Sequence, residues 1–485
     1  MLKITEKNKR NWIYIISGIF LVLMSYFIVE EKFWISAAIP GFLILAYLYV
    51  YELDKVVLLA AFFTPLAVRL SDMDNGVSVS LPTEPLMFGI MVIFFLKALF
   101  ENAYDKRILR HPITLALMFN LLWMLFTTVT SELPLVSIKY LISRLWFVTP
   151  FFFVGVMLFK DKRNIKHFIW LYIAALIFVI IRTTYVHASY GFTAKVAHWA
   201  VRPFYNDHTA YGAILAFFLP ITFGLSVYKR NTIKYRWVAF AVSVILFIAL
   251  ILSNSRAAWL SIVVALAVFT ILKLKIKFRY IFGVLAVLVV LFFSFQHQII
   301  DVLEHNKQDS SADIVEQIQS MYNISTDASN LERINRWQSA IRLFKERPFL
   351  GWGPGTYQFV YGAQQMAREK TIISTNFGDM GNAHSEYLGP LAESGVFGTL
   401  SVLLLIIITL NSALRLYKRS KDMDVRFFSM VSMLSLSTYY FHGFLNNFLD
   451  SDKLSVPVWA FTAVIVALDI FYDNEEKELE VIEKK

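Results

Sequence analysis

Arg256, Arg333 and His384 are the residues of this chain whose types and settings best suit chemistry. A guanidinium is a planar fork of N–H donors that binds phosphate oxygens two at a time and keeps its proton. It is also suited to hold the negative charge that grows as a phosphate leaves. An imidazole accepts a proton near neutral pH, and a proton is what an attacking hydroxyl must give up. Two arginines and a histidine meeting at one cavity would serve a displacement with an anionic leaving group. Each residue also has a plainer reading: Arg256 as an interfacial anchor, Arg333 as part of a solvated helix face, His384 as a structural hydrogen-bonding group.

Their settings differ. Arg256 lies in Asn254-Ser255-Arg256-Ala257-Ala258-Trp259-Leu260, at the end of an apolar run. Arg333 follows Ser329-Asn330-Leu331-Glu332, the spacing of a helix capping box. Leu331, Ile334, Trp337, Ile341 and Phe344 then recur at helical steps, which predicts one apolar stripe on a helix that Pro348 ends. Arg333, Arg336 and Arg342 fall off that stripe, so the helix should lie along the outer membrane interface or roof a cavity. Gly351-Trp352-Gly353-Pro354-Gly355 reads as a rigid turn that scaffolds the loop. His384 follows a polar stretch and opens the next apolar block. Gly395 and Gly398 are expected to permit close helix packing. Further candidates are Arg336, Arg202, Asn206 and Arg144. Lys139 and Arg144, read as lying outside the sixth span, would add positive potential for a phosphate. Asn206 and His208 stand evenly between contact and structure, and His305 is expected in solvent.

The elements that must position these residues are membrane spans. The chain has 485 residues, 57% hydrophobic and only 17% charged, with a mean hydropathy of +0.56. Its apolar residues fall in blocks of about twenty, the length that crosses a bilayer as a helix. About fourteen blocks run between residues 12 and 472; twelve remain if the weak block at 55–70 and a partner do not both cross. The first block has the length of a span and no cleavage site after it, so it is expected to be retained. Lys and Arg collect near residues 3–10, 106–110, 160–166, 229–236, 273–279 and 415–421, always on one side of the alternation. That side is expected to be cytoplasmic, with both termini on it. The net charge of +10 then needs no nucleic-acid partner; the inside-positive bias and anionic lipids account for it. There is no cysteine, which excludes thiolate chemistry and Cys-ligated metal. The organisation expected is an N-terminal transmembrane bundle over 1–208, spans carrying the Ser-Arg element over 209–299, a large outer loop over 300–383, C-terminal spans over 384–472 and a cytoplasmic tail over 473–485.

Three pieces of the C-terminal half resemble the O-antigen ligase and polymerase family of bacterial polysaccharide assembly. The Asn254–Leu260 segment looks like that family's Ser-Arg element at a span end. Ser329, Arg333 and Trp337, continuing through Glu346-Arg347-Pro348-Phe349-Leu350 into the glycine turn, are similar to its loop helix. His384-Ser385, followed by Glu393, Gly395 and Gly398, fits its His…Gly…Gly pattern, and the segment Arg202–Tyr211 with Asn206 is a weaker fourth match. The resemblance implies an all-α polytopic protein of about 12–14 transmembrane helices with GT-C-like glycosyltransferase architecture. It implies a metal-independent glycan transferase without cofactor, in the bacterial inner membrane, with its active site on the periplasmic side. The donor would be a glycan on undecaprenyl pyrophosphate. The acceptor hydroxyl would lie on lipid A core as first choice, or on another glycan repeat or a protein. On that reading His384 activates the acceptor, Arg256 and Arg333 hold the diphosphate, and displacement inverts the anomeric carbon.

A flippase or transporter of lipid-linked glycans is the rival from another class. It would be expected to show mid-span charges and pseudo-repeated halves, whereas here the unusual polar groups collect at the outer face. A receptor or scaffold would explain the topology but not the Arg256, Arg333 and His384 set.

Overall fold

The computed structural model describes residues 6–31, 33–72, 77–101, 105–276, 331–371 and 381–473, with Tyr280, Gly283, Val287, Val290, Ser294 and Ser374. The expected span over 280–298, His305, Ser329 and the tail after residue 473 lie largely or wholly outside these residues.

The protein is an all-α polytopic membrane protein. Nine described helices are long and apolar enough to cross a bilayer: Thr83–Phe100, Pro112–Val129, Pro134–Leu158, Lys162–Ser189, His208–Val227, Ile233–Leu252, Arg256–Leu274, Leu388–Arg419 and Asp452–Tyr472. Helices Glu6–Val29 and Phe33–Tyr51 carry shorter apolar stretches. Met423–His442 has the length of a span but bears Ser429, Ser432, Ser435, Ser437 and Thr438, all buried. Ser429, Ser437 and Thr438 donate back to carbonyls of their own helix, which is how hydroxyls survive in a dry bundle. The Asp452–Leu468 helix is buried along its whole length and forms the post around which the others stand.

Side-chain contacts define two ends. At one, Arg230 pairs with Asp424 (3.0 Å), His111 meets Asp469 (3.0 Å), and Lys162 contacts Asp422. Lys and Arg collect at this end, as the sequence pattern expects. At the other, Thr83 donates to Asp452 (2.7 Å), Lys453 to the Ala67 carbonyl (2.7 Å) and Arg144 to Asp450 (3.1 Å). The long loop joins the second end through the Glu132 amide, which donates to Trp352 O at 3.1 Å.

Three local expectations change. The block at 55–70 is not one apolar helix: Leu53–Phe63 gives way to a 3-10 turn at Thr64–Leu66. Strand Val68–Asp72 then pairs antiparallel with Val77–Leu81, Val68 opposite Leu81. Pro65 and the β-favouring alternation after it end the helix. The sixth span begins not near 146 but at Pro134, and runs to Leu158 through a π-helical stretch at Thr149–Val154 that accommodates Pro150. Lys139 and Arg144 therefore lie within the span rather than before it; they broke the apolar run in the sequence and hid its start. Finally, Leu388–Arg419 is interrupted at Gly395 (φ 68°, ψ −167°).

Candidate active site

The interruption at Gly395 receives the glycine turn. Val396 N donates to Pro348 O (2.9 Å), Trp352 N to Ala392 O (3.1 Å) and Gly353 N to Glu393 O (2.8 Å). A Cβ at Gly395 would lie 2.2 Å from Phe349 O, and one at Gly351 would lie 2.3 Å from the Glu393 carbonyl carbon. Both glycines also have positive φ, so only glycine satisfies both conformation and space. Glu393 accepts from Tyr357 N (3.1 Å), and Ser137 donates to Pro354 O (2.8 Å). The turn scaffolds the loop, as expected. Gly395, however, serves a helix break that admits a loop, rather than helix-to-helix packing, and the nearest neighbours of a Cβ at Gly398 belong to its own helix.

The loop helix spans 331–346 and ends before Pro348, as its pattern predicts. Its polar side is the more deeply buried one. Glu332, Asn335, Arg336, Ser339, Ala340 and Leu343 are buried, whereas Leu331, Ile334, Trp337, Ile341 and Phe344 are only half-buried. The two sets lie on opposite sides of a 3.6-residue helix. The buried side is polar because it closes on itself. Arg336 Nε donates to Glu332 at 2.9 Å, and Glu332 also accepts from Thr371 (3.1 Å) and Ser374. Tyr357 OH donates to Arg336 O (2.7 Å), and the guanidinium lies 5.1 Å over the Tyr361 ring. Glu332 thus engages side chains of its own loop; Ser329, its expected capping partner, lies outside the described residues.

Arg336 carries this order to His384. Its Nη1 donates to Asn382 O (3.1 Å), and Asn382 Oδ1 accepts from His384 N (3.1 Å). A Cβ at Gly381 would fall 1.9 Å from Arg336 Nη1, so the segment passes against the guanidinium only because residue 381 has no side chain. His384 has φ 47°, a left-handed conformation that costs a non-glycine residue and is held here by its surroundings. Two residues on, Glu386 accepts from the amides of Phe448 (2.8 Å) and Leu449 (2.9 Å), which fixes the segment to the end of the bundle.

Burial pushes the His384 imidazole down to about 3, and the charges of Arg336 and Arg333 push the same way; Asp207 opposes them. His384 is therefore neutral at physiological pH. Burial also lowers Arg333, again against Asp207, although a guanidinium remains charged at any ordinary pH. Arg333, Arg336 and His384 thus form one electrostatic cluster with Asp207.

Asp207 caps the His208–Val227 helix, accepting from Thr209 N (2.7 Å) and Ala210 N (2.9 Å). His208 faces His198, with ring centroids 3.9 Å apart. The sequence reading chose Asn206 and passed over Asp207. The available signal was an Asp at the first position before a helix, the place of an N-cap. Asn206 and Arg202 are exposed, and Arg202 O accepts from Arg182. Arg256 begins the Arg256–Leu274 helix with its side chain exposed. The preceding Ser255 meets the His208–Val227 helix closely, since a Cβ at Gly212 would lie 2.7 Å from Ser255 Cβ. Arg256 therefore shares an end of the bundle with Asp207 but is not among the charges that act on His384. Arg144 is not at this cluster. It is buried within its span and donates to Tyr140 OH (2.8 Å), Asp450 (3.1 Å) and Leu449 O (3.2 Å). A separate cavity of about 70 Å³ beside it is lined by Tyr140, Glu386, Glu393 and Trp459 among others, and not by Arg333, Arg336 or His384.

No curated protein matches the chain. Among family models, that of O-antigen ligase matches residues 241–403, about a third of the chain. The match takes in Arg256, the loop helix with Arg333 and Arg336, the glycine turn, His384 and the break at Gly395. Over these residues the chain is similar to the O-antigen ligase family.

Proposed function

We propose that the protein transfers an oligo- or polysaccharide from undecaprenyl pyrophosphate to an acceptor hydroxyl, with lipid A core as first choice. The reaction takes place at the periplasmic face of the bacterial inner membrane and needs no metal. Repeat-unit polymerisation and protein O-glycosylation differ from it in acceptor alone. The observation that carries the reading is the cluster of Arg333, Arg336 and Asp207 around a neutral His384.

The acceptor O–H gives its proton to His384 as its oxygen attacks the anomeric carbon of the donor sugar from the face opposite the phosphate. The sugar–phosphate bond breaks, the configuration inverts, and the lipid diphosphate leaves with the bonding electrons. Arg333 and Arg256 stabilise the charge that builds on it. Arg336, held by Glu332 and Asn382, positions the segment that bears His384 rather than reaching the substrate. A diphosphate at Arg333 would also offset the part of the His384 depression that comes from the arginine charges, though not the larger part that comes from burial, so donor binding raises its affinity for the acceptor proton.

The test is reconstitution with a lipid-linked glycan and candidate acceptors. Transfer lost in His384→Ala and Arg333→Ala variants that still fold supports the proposal. Full transfer by His384→Ala removes the base, and movement of donor between leaflets without transfer favours a flippase.

A further inference from the structure

Beside the site, the turn between the loop helix and the glycine cluster carries an apolar side chain that the protein leaves uncovered. Phe349 is 64% exposed although it belongs to a loop, not to a span. Its backbone is fixed: Pro348 O accepts from Val396 N, and Phe349 O faces Gly395 closely. Gly395 lies seven residues along the helix that starts at Leu388, so the turn reaches roughly 10 Å down that helix at the usual rise per residue.

The surroundings at that level are apolar and exposed, on a helix long and apolar enough to cross a bilayer. Phe397, Leu400, Leu404 and Ile407 recur on one face of the same helix and are 41–63% exposed. Trp123, whose indole donates to Ser394 O, packs edge-on to Phe397 with ring centroids 5.1 Å apart. Arg347, next but one to Phe349, pairs with Glu132, and exposed Val129 (77%) and Leu135 (76%) stand on either side of Glu132. The apolar rim around Phe349 is therefore continuous with the bundle's membrane-facing surface. An exposed phenyl ring at that depth, beside an Arg–Glu pair and a tryptophan, has the composition of a membrane interface.

We propose that the Pro348–Leu350 turn inserts Phe349 into the outer leaflet and thereby fixes the height of the catalytic loop relative to the bilayer. The occupant of the rim is lipid. The inserted turn continues into the 331–346 helix that bears Arg333 and Arg336, so the site is tied to the level at which a lipid-linked diphosphate presents its headgroup. The insertion itself does not depend on the transferase reading.

The absence of cysteine allows a direct test. Phe349→Cys is made the sole thiol, nitroxide-labelled and reconstituted in phosphatidylcholine–phosphatidylglycerol vesicles. Its collision rates with oxygen and with a water-soluble nickel chelate are then compared. Lys345→Cys, on the exposed side of the loop helix, gives the aqueous reference, and Leu404→Cys, within the span, gives the bilayer reference. An oxygen-to-nickel ratio at 349 displaced from the Lys345 value toward the Leu404 value supports insertion. A ratio equal to that at 345 overturns it. Phe349→Trp, probed with lipids brominated at known depth, gives an independent answer that keeps an aromatic ring in place: quenching beyond that of the parent protein supports insertion, and no added quenching overturns it.

Discussion

The Arg336–Glu332 pair offers the sharpest energetic test, because both partners are buried and their geometry is good. The side chains are 9% and 5% exposed and 2.9 Å apart. Arg336→Met leaves the Glu332 carboxylate without its cation in a dry environment. Breaking one side of such a pair costs about 3–5 kcal/mol. Glu332 keeps the Thr371 and Ser374 hydroxyls as donors, so the lower figure, about 3 kcal/mol, applies. Local opening of the 331–346 helix should then rise about a hundredfold, at ~1.4 kcal/mol per tenfold. Amide hydrogen exchange across 331–346 in nanodiscs reads this directly. Removing both charges in Glu332→Gln/Arg336→Met leaves no buried ion, and at least ~2 kcal/mol of the loss should return. Transfer activity should not return with it, because the Asn382 carbonyl beside His384 still lacks its guanidinium donor. Exchange in the double variant as fast as in Arg336→Met would refute the pairing argument. Recovery of transfer in the double variant would refute the positioning role.

Other outcomes follow from the same geometry. His384 has its folded value near 3 and an ordinary one of about 6.5 in the unfolded chain. The unfolded state therefore binds the extra proton between those values, and stability should fall on acidification below pH ~6.5 by up to ~1.4 kcal/mol per unit. His384→Asn should flatten that slope in detergent melts, and an unchanged slope would exclude His384 as its source. Arg333→Gln removes one of the charges that depress His384, so the acid limb of the pH–rate profile should move to higher pH; a fixed limb would break the electrostatic link. Gly395→Ala meets both a positive φ and the Phe349 carbonyl, and should lower stability by more than ~2 kcal/mol, whereas Gly18→Ala, with nothing within 4 Å, should leave the melting temperature unchanged.

The span pattern was legible because hydrocarbon thickness and backbone satisfaction leave few alternatives. The basic clusters likewise predicted which ends would meet, as the Lys162–Asp422 and Arg230–Asp424 pairs show. Legibility failed where polar residues sit inside the bundle. Lys139 and Arg144 looked like a flank because hydropathy counts charge and cannot see that Tyr140 and Asp450 satisfy Arg144. The hairpin after Leu53–Phe63 was missed because a short apolar run reads alike as buried helix or strand.

The site divides along the same line. His384 and Arg333 were chosen from residue type and motif, and the structure brings them together. Arg256 was chosen by the same route, but it stands on a neighbouring helix start. Asp207 was not found, because its most visible property, capping a helix, is what any Asp there would do. The loop helix was found, but the inward turn of its polar side was not. Periodicity equates the apolar stripe with the buried side, an inference that holds when the other side meets water. It loses that basis where a polar side is satisfied within the protein. The side toward the protein can be polar if its groups satisfy one another, as Glu332, Arg336 and Ser374 do. For this loop helix the informative signal was therefore the polar face: Glu332 and Arg336, four residues apart and of opposite charge, mark the side that turns inward and orders the segment bearing His384.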